Sequence, residues 1–259
     1  TVRMSNFGIN TRPDNEPLYQ AGALIFRLGY LKAASVTVVE PISDKAVLSN
    51  GMKSEWLFDH PWLPYVAKVE KRFTGEKEEA SADLSGIEKR FSGAEKEIDS
   101  STGEETLNYG TGVLKIDSPM AQGLVGAIGN GQVLGTTGLW MQLEKRDPWA
   151  AVLAVSLDQN PLDKSSKFMV FAVARAENSG QVYNATRTAL KDPGQPPILM
   201  QGVKGEVSIA VDKSRHYHVV PLDESGNEGA PLKTAIENGG LKFKVSPADH
   251  TSYYLVTAQ

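Results

Sequence analysis

The chain contains no cysteine. That excludes disulfides, thiolate zinc sites and a thiol nucleophile. No apolar run approaches the ~20 residues that a helix needs to cross a bilayer. The formal net charge of −4 argues against nucleic acid and anionic membrane surfaces as partners, because phosphate binding needs a clustered positive face. No signal peptide is visible, and Thr1-Val2-Arg3-Met4 reads as a processed or excised end. What remains is an ordinary globular composition, 41% apolar and 22% charged, long enough to bury a substantial core.

From about Asn108 onward the sequence is a succession of short apolar runs broken by Gly, Pro, Asp and Asn. Ala150–Leu157, Phe168–Ala174, Ile198–Val203, Val207–Val211 and Tyr253–Val256 are the clearest. Gly110–Asp117 and Gln122–Gly129 have the same β-branched, glycine-bounded character. This spacing predicts a mainly β fold, a β-sandwich of jelly-roll-like architecture. A short N-terminal helix precedes it. Asp14 or Asn15 can cap that helix, Pro17 suits its first turn, Leu18, Ala21, Leu24/Ile25 and Leu28 share a face, and Gly29 stops it. Ser35–Glu40 then reads as a strand ended by Pro41. A lone helix ahead of strands implies either that it packs outside a sheet or that the chain starts inside something larger.

Residues 74–106 are rich in Glu, Lys, Ser, Gly and Asp. They hold part of a repeat, in which Val69-Glu70-Lys71-Arg72-Phe73-Thr74-Gly75 recurs as Ile87-Glu88-Lys89-Arg90-Phe91-Ser92-Gly93. A solvated excursion or linker is one reading. Two matching edge hairpins anchored by Phe73 and Phe91 is the other. The composition places a domain boundary at 106/107, with residues 1–106 forming the helix, a β segment and the charged excursion, and 107–259 forming the sandwich.

The motifs that carry chemistry are few. Gly126, Gly129 and Gly131 do not fit a dinucleotide loop, and no Gly-Lys-Ser/Thr follows. No Gly-x-Ser-x-Gly elbow stands between a strand and a helix. His216 and His218 would share one face of a strand, as many metal ligands do, but no third ligand is evident; an exposed edge strand explains the pair, and no metal or cofactor is assigned. Asp59 sits among Trp56, Phe58 and Trp62, surroundings that raise a carboxyl pKa, but it also suits a turn before Pro61. Asn184-Ala185-Thr186 matches the glycosylation triplet.

The aromatics make the positive case. An indole or phenol ring can stack on the apolar face of a pyranose while amides and hydroxyls bond its hydroxyl groups. Trp56, Trp62 and Tyr65 form one candidate cluster, with core or interdomain packing as the competing reading. Trp140, after the flexible-looking Gly135-Thr136-Thr137-Gly138, is expected to be exposed, and Trp149, opening an apolar strand, is expected in the core. Tyr183 and Asn184, after Asn178-Ser179-Gly180, are a further candidate.

Several phrases of the chain resemble the C-terminal, post-barrel region of large bacterial glycoside hydrolases. They are Ala23–Lys32, Gly112–Pro119 with Gln122 and Gly126, Ser156-Leu157-Asp158 with Pro161-Leu162 and Ser165–Lys167, Ala174–Gly180, and Pro197–Gly205. The resemblance implies a secreted bacterial protein in which a catalytic barrel is followed by β-domains. In such proteins the catalytic carboxylates sit on barrel strands, which would precede Thr1, so no catalytic residue is assigned here and the chain alone is not expected to be an enzyme. The expectation is a module that binds polysaccharide or oligosaccharide, or that braces the parent enzyme's catalytic domain. A complete hydrolase with an unrecognised site is the third alternative.

Overall fold

The computed structural model describes residues 12–50, 60, 62–77, 79, 83–85, 96–145 and 149–259. The described chain is mainly β, with many short strands, few helices and sandwich-like sheets, as the turn spacing predicts. It divides into two compact units, one comprising the chain up to Tyr30 with Pro119–Gln259, the other Leu31–Ser118. The boundary read from composition at 106/107 falls instead inside a strand of the second unit, because Glu105–Asn108 pairs with strands on both sides of it in sequence.

Helix α1 (Glu16–Arg27) belongs to the first unit. Its buried residues are Pro17, Ala21 and Ile25, one stripe at i, i+4, i+8. Neither predicted cap bonds to the helix: Asn15 has helical dihedrals and makes no side-chain cap. Asp14 is instead buried, taking two hydrogen bonds from the Arg12 guanidinium (2.8 and 3.0 Å) and one from the Ala176 N–H. Arg12 also donates to the Ala176 carbonyl. The helix stops at Gly29 as expected, in the left-handed region at φ +66°. The Gly29 N–H bonds to Phe26 and the Tyr30 N–H reaches back to Ile25, so both free carbonyls are satisfied.

In the second unit β1 (Thr37–Ser43) pairs in parallel with β2 (Lys68–Gly75), and the connection carries α2 (Asp44–Asn50) and α3 (Leu63–Val66). Parallel strands need such a crossover. Pro41 lies within β1 rather than ending it. That is tolerated because β1 has a ladder partner on one side only among the described residues. The first copy of the charged repeat lies on β2, in a parallel ladder and not a hairpin, with Phe73 59% exposed. The second copy, 87–93, lies outside the described residues. An antiparallel run of β3 (Glu97–Asp99), β4 (Glu105–Asn108) and β5 (Val113–Asp117) follows. Val38, Leu63, Val66, Ala67, Leu84 and Ile98 make this unit's core.

The first unit is built on two facing sheets. One contains β6 (Ala121–Gly126), β9 (Ala150–Ser156), β10 (Lys167–Val173), β16 (Tyr217–Pro221) and β19 (Tyr253–Ala258), in the order β16–β19–β10–β9–β6. The other contains β7 (Val133–Gly135), β8 (Leu139–Leu143), β15 (Gly205–Ala210), β17 (Thr234–Glu237) and β18 (Gly240–Val245), in the order β17–β18–β15–β8–β7. Every residue of β9 is buried, since it pairs with β10 and β6 on its two edges and α1 packs over β9 and β10. Phe243 and Tyr254 meet across the sheets at 6.1 Å between ring centres. A ribbon leaves this sandwich after β10: β11 (Ala176–Ser179) pairs with β14 (Gln195–Met200), and β12 (Val182–Tyr183) with β13 (Leu190–Asp192). The apolar run Ile198–Met200 is therefore an exposed strand and not a core one.

Candidate binding face

Strand β8 alternates strictly. Leu139, Met141 and Leu143 are buried, while Trp140 and Gln142 face outward. Trp140 keeps 40% of its surface exposed, high for the residue that gains most from burial. Its neighbours follow from register. Gly135 on β7 lies on one side and Ser208 on β15 on the other, and Ser208 is in turn opposite Lys242 on β18, with Ala235 on β17 beyond. The parallel row is Val133, Gln142, Glu206 and Lys244. The outer face is thus polar around a single indole.

Two glycines shape it. A Cβ on Gly135 would stand 2.4 Å from Trp140 Cδ1 and 2.6 Å from the Leu139 carbonyl oxygen, so the indole leans over bare backbone. A Cβ on Gly240 would stand 2.4 Å from the Ser208 hydroxyl oxygen, so that side chain also occupies a glycine's space. Lys242 bridges Glu237 (2.8 Å) and Glu206 (3.7 Å), and these pairs push its pKa up. With Lys244, the face carries two charges of each sign.

The turn before Trp140 is not flexible. The Thr136 N–H bonds to the Leu139 carbonyl at 2.8 Å, and the Leu139 N–H returns to the Thr136 hydroxyl at 3.0 Å. Buried Gln122, on β6 of the opposite sheet, accepts at Oε1 from the Thr136 hydroxyl and the Gly138 N–H, both at 2.8 Å. One side chain crossing the sandwich therefore fixes the hairpin that presents Trp140.

The remaining sequence candidates are dispersed. Trp56 and Asp59 lie outside the described residues. Trp62 packs against the core of the second unit, edge-on to His60 at 5.4 Å, and Tyr65 is 40% exposed on α3. Tyr183 has the Arg187 guanidinium 4.4 Å over its ring and accepts a hydrogen bond at its hydroxyl from Gln181, so one stacking face is already covered. Asn184 folds its carboxamide into its own turn, accepting from the Thr188 and Ala189 N–H groups and donating to the Thr188 hydroxyl. Trp149 is half-buried beside Gly129, Leu143 and Val203. His216 and His218 are both exposed, and among the described residues no three metal-ligating side chains gather.

Ser208, Lys242 and Gly240 escaped sequence reading, because only strand pairing brings them to the face around Trp140; Gln142 was not singled out, and Gly135 was legible only as part of a turn. The signal for Trp140 itself was present: Leu139-Trp140-Met141-Gln142-Leu143 has the period of two of a half-buried strand.

Compared with known protein families, curated proteins and solved structures, the chain matches none.

Proposed function

We propose that this chain is a non-catalytic carbohydrate-binding module of a secreted bacterial carbohydrate-active enzyme, and that it takes glycan on the outer face of the five-stranded sheet. The observation that carries this reading is Trp140: an exposed indole, fixed in a rigid strand and surrounded by side chains that donate and accept hydrogen bonds. A pyranose offers such a face what it needs, an apolar ring side for the indole and a rim of hydroxyls for Ser208 and Lys242. Affinity at one such site is modest and rises when the module is tethered to an enzyme acting on the same polymer. The test is depletion of the chain from solution by insoluble cellulose, xylan, mannan or chitin. Retention by one of them and its loss in Trp140→Ala is the expected result; equal retention of the variant removes this face from consideration.

A second reading has its own support. The ribbon exposes Val182, Leu190, Ile198, Leu199 and Met200, and α1 exposes Tyr19 and Phe26. Such surfaces suit a structural accessory domain that braces the catalytic domain of the same enzyme. An isolated chain of that kind self-associates in gel filtration, and Leu199→Ser together with Phe26→Ser restores a monomer.

A further inference from the structure

The outer face has a direction as well as a composition. Trp140, Ser208 and Lys242 are direct cross-strand partners on three successive strands, so they form a line perpendicular to the strands. Neighbouring strands stand roughly 4.8 Å apart, close to the length that one sugar adds to an extended polysaccharide. Along the strand direction outward side chains recur only about every 6.8 Å. From Trp140 that path meets Gln142, whose Nε2 is already bonded to the Gly131 carbonyl at 3.0 Å. By contrast, the Ser208 hydroxyl has no hydrogen-bond partner among the described residues. The row also ends openly. Gly135 and Ala235, at its two ends, carry no bulky side chain, and β7 and β17 are the outer strands of this sheet.

Charge narrows the ligand. Glu206 and Glu237 oppose Lys242 and Lys244, and both carboxylates are within ion-pair distance of Lys242. A polyanion would have to displace these carboxylates from Lys242, and a polycation would have to displace Lys242 from them.

Resting on the glycan-binding reading, we infer that the face takes an internal segment of an uncharged, extended polysaccharide running across the strands, one sugar stacked on Trp140, the next hydrogen-bonded at Ser208 and the next at Lys242.

The experiment is titration of the full chain with cello-, xylo-, manno- and N-acetylchito-oligosaccharides from dimer to hexamer, with polygalacturonate and chitosan as charged probes. The expected result is that one neutral series binds, with affinity rising from dimer to trimer and levelling after it. Trp140→Ala then loses more than tenfold. Ser208→Ala and Lys242→Met each lose about fivefold on the hexamer, the worth of one hydrogen bond, and Lys242→Met loses much less on the dimer, which spans only Trp140 and Ser208. Gln142→Ala changes affinity less than twofold. Ser208→Ala removes a single half-buried hydroxyl oxygen that has no partner to leave unpaired, so its fold is secure even if Lys242→Met disturbs the sheet. A loss in Gln142→Ala without one in Ser208→Ala overturns the direction, and tighter binding of polygalacturonate or chitosan overturns the ligand class; in either case Trp140-dependent binding leaves the module reading standing. Binding to none of these probes overturns that reading and this inference with it.

Discussion

Single residues decide whether this face exists. Gly135→Val places a branched side chain where the Trp140 indole lies, 2.4 Å from its Cδ1. The expected outcome is loss of glycan retention comparable to Trp140→Ala, with the indole fluorescence moved to that of a fully exposed tryptophan. Asp158 is a structural counterpart. Burial pushes its carboxyl up. The Ser165 hydroxyl, the Ser166 N–H and hydroxyl and the Asn160 N–H outweigh that and hold it well below the usual carboxylate range. A depressed carboxyl stabilises the fold above its unfolded value of about 3.9, and that contribution is lost as pH falls toward the folded value. Asp158→Asn is therefore expected to lower the urea midpoint at pH 7, with the gap to the native chain closing below about pH 4. A gap independent of pH would mean that the loop is held by shape and not by charge.

At the scale of elements, the two ends of α1 behave differently. Gly29 was legible as a stop because a positive φ is a backbone property that glycine alone meets without strain. With nothing within 4 Å of a Cβ there, Gly29→Ala should cost only the backbone term, about 1 kcal/mol, measured by denaturant unfolding. The start of α1 was not legible. Asp14 has the chemistry of a cap, but Arg12 and the Ala176 N–H, distant in sequence, take its carboxylate. Arg12→Ala leaves that buried carboxylate with one hydrogen bond in place of three and should cost on the order of 2 kcal/mol. The hairpin carrying Trp140 shows the same split. Glycines at 135 and 138 announce a turn, yet its rigidity comes from Gln122 across the sandwich. Gln122→Leu leaves the Thr136 hydroxyl and the Gly138 N–H without their acceptor, and a loss of about 1–3 kcal/mol is expected.

For the whole molecule, strands were readable wherever burial was one-sided or complete. β9, β10, β15 and β19 coincide with apolar runs picked out by pattern. The parallel pairing of β1 with β2 was not readable, because the crossover that makes it possible lies in a stretch of mixed composition with two prolines. The exposure of Ile198–Met200 was not readable either, because an apolar strand on an exposed ribbon and one in a core have the same local sequence. The sequence by itself determined the β class, the helix and its glycine stop, the absence of thiol chemistry and the presence of an indole on an alternating strand, since each rests on local sterics, periodicity or composition. Only the tertiary structure decided that Trp140 shares a row with Ser208 and Lys242, that Gln122 holds its hairpin, and that the Arg187 guanidinium covers a face of Tyr183. Strand register brings residues 140, 208 and 242 together, and no local pattern encodes a pairing across such distances in the chain.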